Sequence, residues 1–324
     1  MVLVLVDHDH GQLDELSLQA VTYGRALAAS TGESLDALVV GADGSGVAEA
    51  LAAHGVATVH IAVHDRLTDY APLASARAAA EVVSSTGASV VLATGSPRGN
   101  EVLAHLGAIT DLPVAADCVK VTPGSPTKVE RARWGGSLME EANLHGSPAL
   151  VSLVPHTIVA EPDGAGAGTV AEFTPQLSDA DLLVIAKPAA AAEESTGVSL
   201  ADAKVIVSGG RGVGSADGFA PLEELAELLG GTIGCSRVVT GNGWRPHTEQ
   251  VGQTGTKVAP DLYIACGISG ATQHIAGCRN SKTMIVINTD PEAAIMGYAD
   301  YAIIGDIGKV LPAIIEETRK AKAN

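Results

Sequence analysis

Residues 205–310 contain the two most informative turns of this chain, Gln250-Val251-Gly252-Gln253-Thr254-Gly255 and Gly267-Ile268-Ser269-Gly270-Ala271-Thr272-Gln273-His274. Both turns stand where an α/β nucleotide-binding domain keeps its ligand-facing turns. Both turns are rich in small residues and in amide or hydroxyl donors, which a phosphate-bearing ligand requires. The stretch therefore predicts an α/β domain that holds a dinucleotide.

The pattern around these turns alternates short apolar runs with amphipathic ones. The predicted strands are Lys204–Val207, Thr232–Gly234, Leu262–Ala265, Thr283–Ile287 and Tyr301–Ile304. The predicted helices are Pro221–Leu229, Ala271–Ala276 and Val310–Arg319. This alternation is typical of a doubly wound sheet with parallel strands.

The first half of the chain shows the same rhythm. Its predicted strands are Val2–Val6, Ala37–Val40, Thr58–Val63 and Ser89–Ala93. Its predicted helices are Leu13–Ala29, Val47–Ala53, Leu73–Ser84 and Glu101–Ala108. Cys118–Val121, Lys128–Trp134 and Ala149–Val154 then read as strands without helices between them, which predicts an added antiparallel section.

The fold class predicted from these patterns is α/β, with two doubly wound domains and mainly parallel sheets. Lys187–Gly197 shows neither the helical nor the strand period, so we interpret it as an interdomain linker. The predicted domains are residues 1–190 and 191–324.

Composition and charge exclude several classes of partner. The 324 residues carry a formal net charge of −17, which argues against binding to nucleic acid or to anionic membrane surfaces. Neither a signal peptide nor an apolar run of membrane-spanning length is evident. The four cysteines lack C-x-x-C spacing and fit a reducing compartment, so we expect a cytoplasmic protein without a metal centre.

Polar residues that follow the predicted strands are the candidate site. Arg211 follows one strand within Ser208–Gly214, and Ser236-Arg237 follows the next. Ser269–Ala271 would offer free amides at a helix start, with His274 in the first turn. Taken singly, each group has an ordinary explanation, namely a tight turn, a surface ion pair or a polar surface side chain. His8 and His10 beside Asp7 and Asp9 suggest a metal site, although a solvated loop is the favoured interpretation.

Together these motifs resemble the electron transfer flavoprotein family, specifically its alpha subunit. The resemblance covers nearly the whole second domain, whereas the first domain matches only in layout and in its opening strand. The matching motifs are Val207–Gly212, Gly234–Arg237, Gln250–Gly255, Val258–Ala265, Gly267–His274, Ser281–Thr283, Ile287–Ala293 and Ala299–Tyr301.

The resemblance implies that the second domain is an FAD-binding Rossmann-like (DHS-like) domain. Carried over by position, the flavin-binding set is Arg211, Ser236, Arg237, Val251, Gly252, Gln253, Thr254, Ser269, Gly270, Ala271, Thr272, Gln273, His274, Asn288, Asp306 and Ile307. The family pattern puts Arg237, Thr254 and His274 near the isoalloxazine ring, and Asn288 and Asp306 toward the ADP half. Two departures are Asp306-Ile307, where Asp-Leu is usual, and Gly95–Asn100, which lacks the expected Gly-Arg-Asp type of sequence.

The resemblance also implies a function and partners. The expected function is that of an electron carrier, not an enzyme. It would take electrons from acyl-CoA and other flavoprotein dehydrogenases in fatty acid β-oxidation and pass them to a quinone-linked oxidoreductase. The expected partner is a beta subunit that holds AMP and contacts the first domain in a heterodimer. The alternatives are an NADH-oxidising bifurcating complex and a non-redox nucleotide-binding module.

Overall fold

The computed structural model describes residues 1–164, 168–186 and 199–323. The chain divides into two compact units, Met1–Ala191 and Ala192–Asn324. The predicted linker, Lys187–Gly197, lies outside the described residues, as does the predicted boundary between residues 190 and 191. No helix in these three described segments is both long and apolar enough to cross a bilayer.

The first unit is built on a mixed sheet with helices packed against it. Its strands are β1 (Val2–Val6), β2 (His8–Asp9), β3 (Gln12–Leu13), β4 (Leu35–Val40), β5 (Thr58–Ala62), β6 (Val90–Thr94), β7 (Val114–Thr122), β8 (Thr127–Arg133), β9 (Leu138–Leu144), β10 (Ala149–Leu153) and β11 (Thr169–Phe173). Its helices are α1 (Glu15–Thr31), α2 (Ala48–Ala53), α3 (Pro72–Thr86) and α4 (Pro97–Thr110). The nine-stranded sheet has the order β11-β5-β4-β1-β6-β10-β7-β8-β9.

The prediction of an antiparallel section after residue 113 is correct for β7 and β8, which pair antiparallel, and β9 extends this section on the far side of β8. It is wrong for β10, which lies parallel between β6 and β7. All five residues of β10 are buried, as is typical of a central parallel strand covered on both faces. The strands β9 and β11 were not predicted, because both are largely exposed and carry charged residues.

Two helix starts that differ from the predictions are set by a polar side chain that caps the helix. The side chain of Asp14 accepts a hydrogen bond from the amide of Leu16, so α1 begins at Glu15. Ser96 accepts from the amide of Gly99 at 2.9 Å, so α4 begins before the predicted Glu101. Capping satisfies amides that would otherwise lack a partner.

The second unit is a five-stranded, wholly parallel sheet. Its strands are β12 (Val205–Gly209), β13 (Thr232–Cys235), β14 (Leu262–Cys266), β15 (Thr283–Asn288) and β16 (Tyr301–Ile304). Its helices are α5 (Ala220–Leu229), α6 (Arg237–Gly241), α7 (Thr272–Cys278) and α8 (Ile307–Ala323). The order β13-β12-β14-β15-β16 confirms the predicted α/β class.

The strand order of the second unit reverses at β12. The chain leaves β12 toward β13 on one side and returns to β14 on the other. In open α/β sheets, the crevice at such a reversal, beyond the carboxyl ends of the strands, is where ligands bind. The loops after β12 and β14 therefore mark the expected place of the site.

Candidate functional site

A cavity of about 770 Å³ lies at the carboxyl ends of the strands of the second unit. Its volume falls in the usual range for small-molecule sites. The cavity is lined by Arg211, Gly212, Ser236, Arg237, Val238, Gln250, Val251, Gly252, Gln253, Thr254, Gly267, Ile268, Ser269, Ala271, Gln273, His274, Asn288, Asp290 and Ala293. Most of the residues predicted from the sequence thus lie together around one space.

The loops after β12 and β14 are joined by backbone hydrogen bonds at the cavity. The amide of Gly210 donates to the carbonyl oxygen of Cys266 at 2.8 Å, and that of Gly212 donates to Gly267 at 3.0 Å. A Cβ atom on Gly210 would lie only 2.3 Å from the oxygen of Gly267. Glycine is therefore required here for the approach of two backbones to each other, which brings Arg211 to the cavity wall.

A second loop, residues 250–256, is held against α7. The amide of Val251 donates to Cys235 at 2.9 Å, and that of Gln253 donates to Gln273 at 2.8 Å. The backbone of Gly252 lies so close to Gly277 in α7 that a Cβ atom on Gly277 would be 2.4 Å from it. These contacts fix the loop from both sides and orient Thr254 at the cavity.

The cavity wall carries two guanidinium groups without an ion-pair partner in the described residues. The guanidinium groups of Arg211 and Arg237 form no ion pair with any residue in the described segments, although the chain as a whole is acidic. The amides of residues 269–271 likewise donate to no described group. An anionic ligand with several acceptor oxygens would meet both requirements.

His274 is a neutral side chain at the base of the cavity. Burial lowers its pKa to about 4, a shift that the backbone of Val251 opposes only in part. Its Nε2 lies 2.9 Å from the hydroxyl of Tyr263, and its Nδ1 makes no hydrogen bond of normal geometry in the described residues. The imidazole is therefore uncharged near neutral pH, and its Nδ1 can still take part in a hydrogen bond.

Four predicted residues do not line the cavity. Gly270 packs its backbone against Ile295, and Thr272 is an exposed residue at the start of α7. Asp306 accepts a hydrogen bond from the amide of Gly308 at 2.7 Å and so caps α8, while Ile307 packs near Gly267. Their part in ligand binding stays a prediction.

Several lining residues were not in the predicted set. Gln250 is 2% exposed, and its side chain joins Thr240 to Thr254 by hydrogen bonds. Gln250 belongs to the quoted turn, but nothing in the sequence shows that its side chain turns toward the cavity. Asn288, which was predicted, lines the cavity and donates to the carbonyl oxygen of Ile268 at 2.9 Å.

The first unit has a separate cavity of about 440 Å³ beside His8, Tyr70 and Arg98. The imidazole of His8 serves the fold, because Nε2 lies 2.9 Å from the oxygen of Val40 and Nδ1 accepts from the amide of Gly11. No group of metal-ligating side chains large enough for a metal ion occurs among residues 1–164, 168–186 and 199–323.

Comparison with known proteins finds the same family in both units. Residues 2–178 match the electron transfer flavoprotein domain, and residues 199–279 match the electron transfer flavoprotein FAD-binding domain. The chain is 33% identical to an electron transfer flavoprotein subunit alpha from Thermoanaerobacterium thermosaccharolyticum, over 99% of this chain and 98% of the relative. It is 34% identical to the alpha subunit from Mycobacterium leprae, over 99% and 98%, and 33% identical to that from Bacillus subtilis, over 98% and 97%.

The residues at the cavity fit the cofactor that this domain binds. FAD carries an anionic pyrophosphate and a ring edge with hydrogen-bonding atoms, and the cavity offers two unpaired guanidinium groups, free amides and a neutral imidazole. On these grounds, and on the match along nearly its whole length, the chain belongs to the electron transfer flavoprotein family, as an alpha subunit with an FAD-binding domain.

Proposed function

We propose that this chain works in a heterodimeric carrier, which takes electrons from acyl-CoA and other flavoprotein dehydrogenases and delivers them to a quinone-linked oxidoreductase. The observation that carries the proposal is the pair of unpaired cations, Arg211 and Arg237, at a cavity with no activated nucleophile among the described residues. Cys235 and Cys266 end two strands next to lining residues, but burial raises the pKa of each thiol to about 12. Such a site suits holding a redox group more than transforming a substrate.

Different residues of the cavity would hold different parts of FAD. Arg211 and the amides of Ser269–Ala271 would hold the pyrophosphate, because a guanidinium and a row of free amides suit phosphate oxygens. Arg237, Thr254 and His274 would face the flavin ring, and Asn288 the ADP half. Asp306, with Ile307, remains a proposed contact of the ADP half. When bound, FAD supplies reversible electron transfer in single steps.

The electrostatics of the site set how easily the bound group takes up electrons. A guanidinium such as that of Arg237 favours negative charge, so it favours the reduced cofactor and raises its reduction potential. His274 contributes no charge near neutral pH, because its pKa is lowered to about 4. Its contribution is therefore a neutral hydrogen bond, and Arg237 is the principal cation at the ring.

The proposed organisation follows the predicted domains. Residues 1–190 would contact the beta subunit, which holds AMP, and residues 191–324 would hold FAD. The complex would work in the cytoplasm, in fatty acid β-oxidation. The support is the family itself together with the separate cores of the two compact units.

The test is electron transfer to the purified heterodimer. An acyl-CoA dehydrogenase reduced by its substrate should bleach the flavin absorbance of the carrier within seconds, whereas NADH alone should not. Bleaching by NADH and not by reduced dehydrogenases would overturn the proposal in favour of an NADH-oxidising bifurcating complex. A heterodimer that releases no flavin on denaturation would favour a non-redox nucleotide-binding module.

A further inference from the structure

A buried amide connects the cavity to the protein interior. The side chain of Gln250 is enclosed in the second unit, with the residue 2% exposed. Its Oε1 accepts a hydrogen bond from the hydroxyl of Thr240 at 2.8 Å, and its Nε2 donates to the hydroxyl oxygen of Thr254 at 3.0 Å. Because Nε2 can only donate, the Thr254 oxygen accepts here and its own proton is free to point into the cavity.

The opposite orientation of the same amide is equally well satisfied. If the Gln250 amide turns over, Oε1 accepts from the Thr254 hydroxyl and Nε2 donates to the Thr240 oxygen. The Thr240 proton then has a second acceptor already in place, since the carbonyl oxygen of Arg237 lies 3.0 Å from Thr240 Oγ1. No buried polar atom loses its partner in either arrangement, so neither carries the cost of an unsatisfied group.

The two orientations of the Gln250 amide give the Thr254 hydroxyl opposite hydrogen-bonding roles toward the ligand. In the first orientation Thr254 donates into the cavity, and in the second it accepts. The N5 atom of a flavin makes the same exchange, because it is a hydrogen-bond acceptor when oxidised and carries a proton when fully reduced. A fixed donor at this position would serve only one of the two oxidation states.

We propose that Gln250 is a positioning residue that sets whether Thr254 donates or accepts, and that its amide turns over when the cofactor changes oxidation state. The inference rests on the proposed function, because it needs the flavin ring at Thr254. It adds to that function a reason why one site can hold both oxidation states. Thr240 and the Arg237 carbonyl group complete the chain of hydrogen bonds.

The first experiment is a double-mutant cycle on FAD affinity. The heterodimer would be stripped of FAD and titrated, as wild type, Gln250→Met, Thr254→Val and the double variant. We expect Gln250→Met to weaken FAD binding by about three- to tenfold in the wild-type background. In the Thr254→Val background the same change should cost less than about twofold, since the hydroxyl that it positions is gone.

Two further variants separate positioning from a purely structural role. Thr254→Ser keeps a hydroxyl and should restore the sensitivity to Gln250→Met. Thr240→Val alters only the inner end of this chain of hydrogen bonds. Its effect on FAD affinity should also disappear in the Thr254→Val background. If Gln250→Met weakened FAD binding by the same factor in the wild-type and Thr254→Val backgrounds, the proposal would be overturned.

The second experiment uses the unaltered complex and needs no variant to fold. The side-chain amide protons of Gln250 would be followed by NMR with FAD oxidised and then reduced. We expect their signals to move on reduction, while those of Gln176, in the first unit, stay fixed. Unmoved Gln250 signals would overturn the proposal, even if the carrier accepts electrons. Conversely, moved signals in a complex that dehydrogenases cannot reduce would refute the proposed function alone.

Discussion

The contact between Gly277 and Gly252 allows a sharp test of how the site is built. Gly277 lies in α7, and a Cβ atom added there would be 2.4 Å from both the nitrogen and the Cα atom of Gly252. Ordinary contacts of a Cβ atom begin near 3.4 Å, so Gly277→Ala would require the two backbones to part by about 1 Å. Neither partner is a flexible side chain, and the strain therefore falls on the loop 250–256.

The expected cost follows from the anchoring of that loop. Overpacking of this kind costs about 1–3 kcal/mol of stability. Moving the loop outward also strains the hydrogen bond from the Gln253 amide to Gln273, which is 2.8 Å long. Because Val251, Gly252 and Thr254 line the cavity, we expect FAD affinity to fall by at least about tenfold.

The assay is paired, with Gly241→Ala as the matched control. Gly241 is the last residue of α6, and a Cβ atom there meets nothing within 4 Å. Both variants would be measured by thermal unfolding and by titration of the stripped complex with FAD. The control should keep wild-type affinity and gain up to about 1 kcal/mol of stability. A Gly277→Ala protein with wild-type affinity and stability would refute the packing argument.

Three other residues give independent predictions. Burial lowers the pKa of His274 from 6.5 to about 4. Its contribution to stability is therefore full above pH 6.5 and is lost as the pH falls toward 4. Thermal unfolding from about pH 7 to 4 should show this loss of stability in the wild type and not in His274→Gln. Tyr263→Phe leaves Nε2 of His274 without its partner and should cost about 1–3 kcal/mol in denaturant unfolding, whereas unchanged stability would contradict that bond. Arg237→Ala should lower the flavin potential by on the order of tens of millivolts, and Arg237→Lys should lower it less, so equal potentials in a dithionite titration would remove Arg237 from the account.

The strands and the location of the site could be predicted from the sequence for a shared reason. Strands such as β12, β14 and β15 are buried, so they read as apolar runs. Once these strands are parallel, their carboxyl ends must converge, and the residues after them must meet. This convergence is the main reason why Arg211, Ser236 and Asn288, which lie at or just after strand ends, come together at the cavity.

The tertiary environment of single side chains could not be predicted in this way. His274 reads as a polar residue in a first helical turn, yet α7 packs that turn inward and leaves the residue 6% exposed. Whether Asp306 faces the ligand or caps α8 depends on where that helix starts, which the apolar pattern fixes only within a turn. The role of Gln250 depends on Thr240, ten residues away on a short helix that was not predicted.

The strands that were not predicted are the two-residue strands β2 and β3 together with β9 and β11, and all four bury few side chains. β9 carries Glu140 and Glu141 in a mostly exposed run, and β11 is the edge strand beside β5. Neither gives the apolar pattern by which a strand is recognised.

The most direct test of the central claim is hydrogen exchange of the heterodimer with and without FAD. The claim is that FAD lies at the carboxyl edge of the sheet in the second unit. We predict that FAD protects backbone amides in residues 210–213, 236–238, 250–256 and 267–274. Residues 7–10, 67–70 and 98–99 at the cavity of the first unit should exchange at the same rate in both states. Protection at the first unit, with residues 250–256 and 267–274 unchanged, would contradict the account.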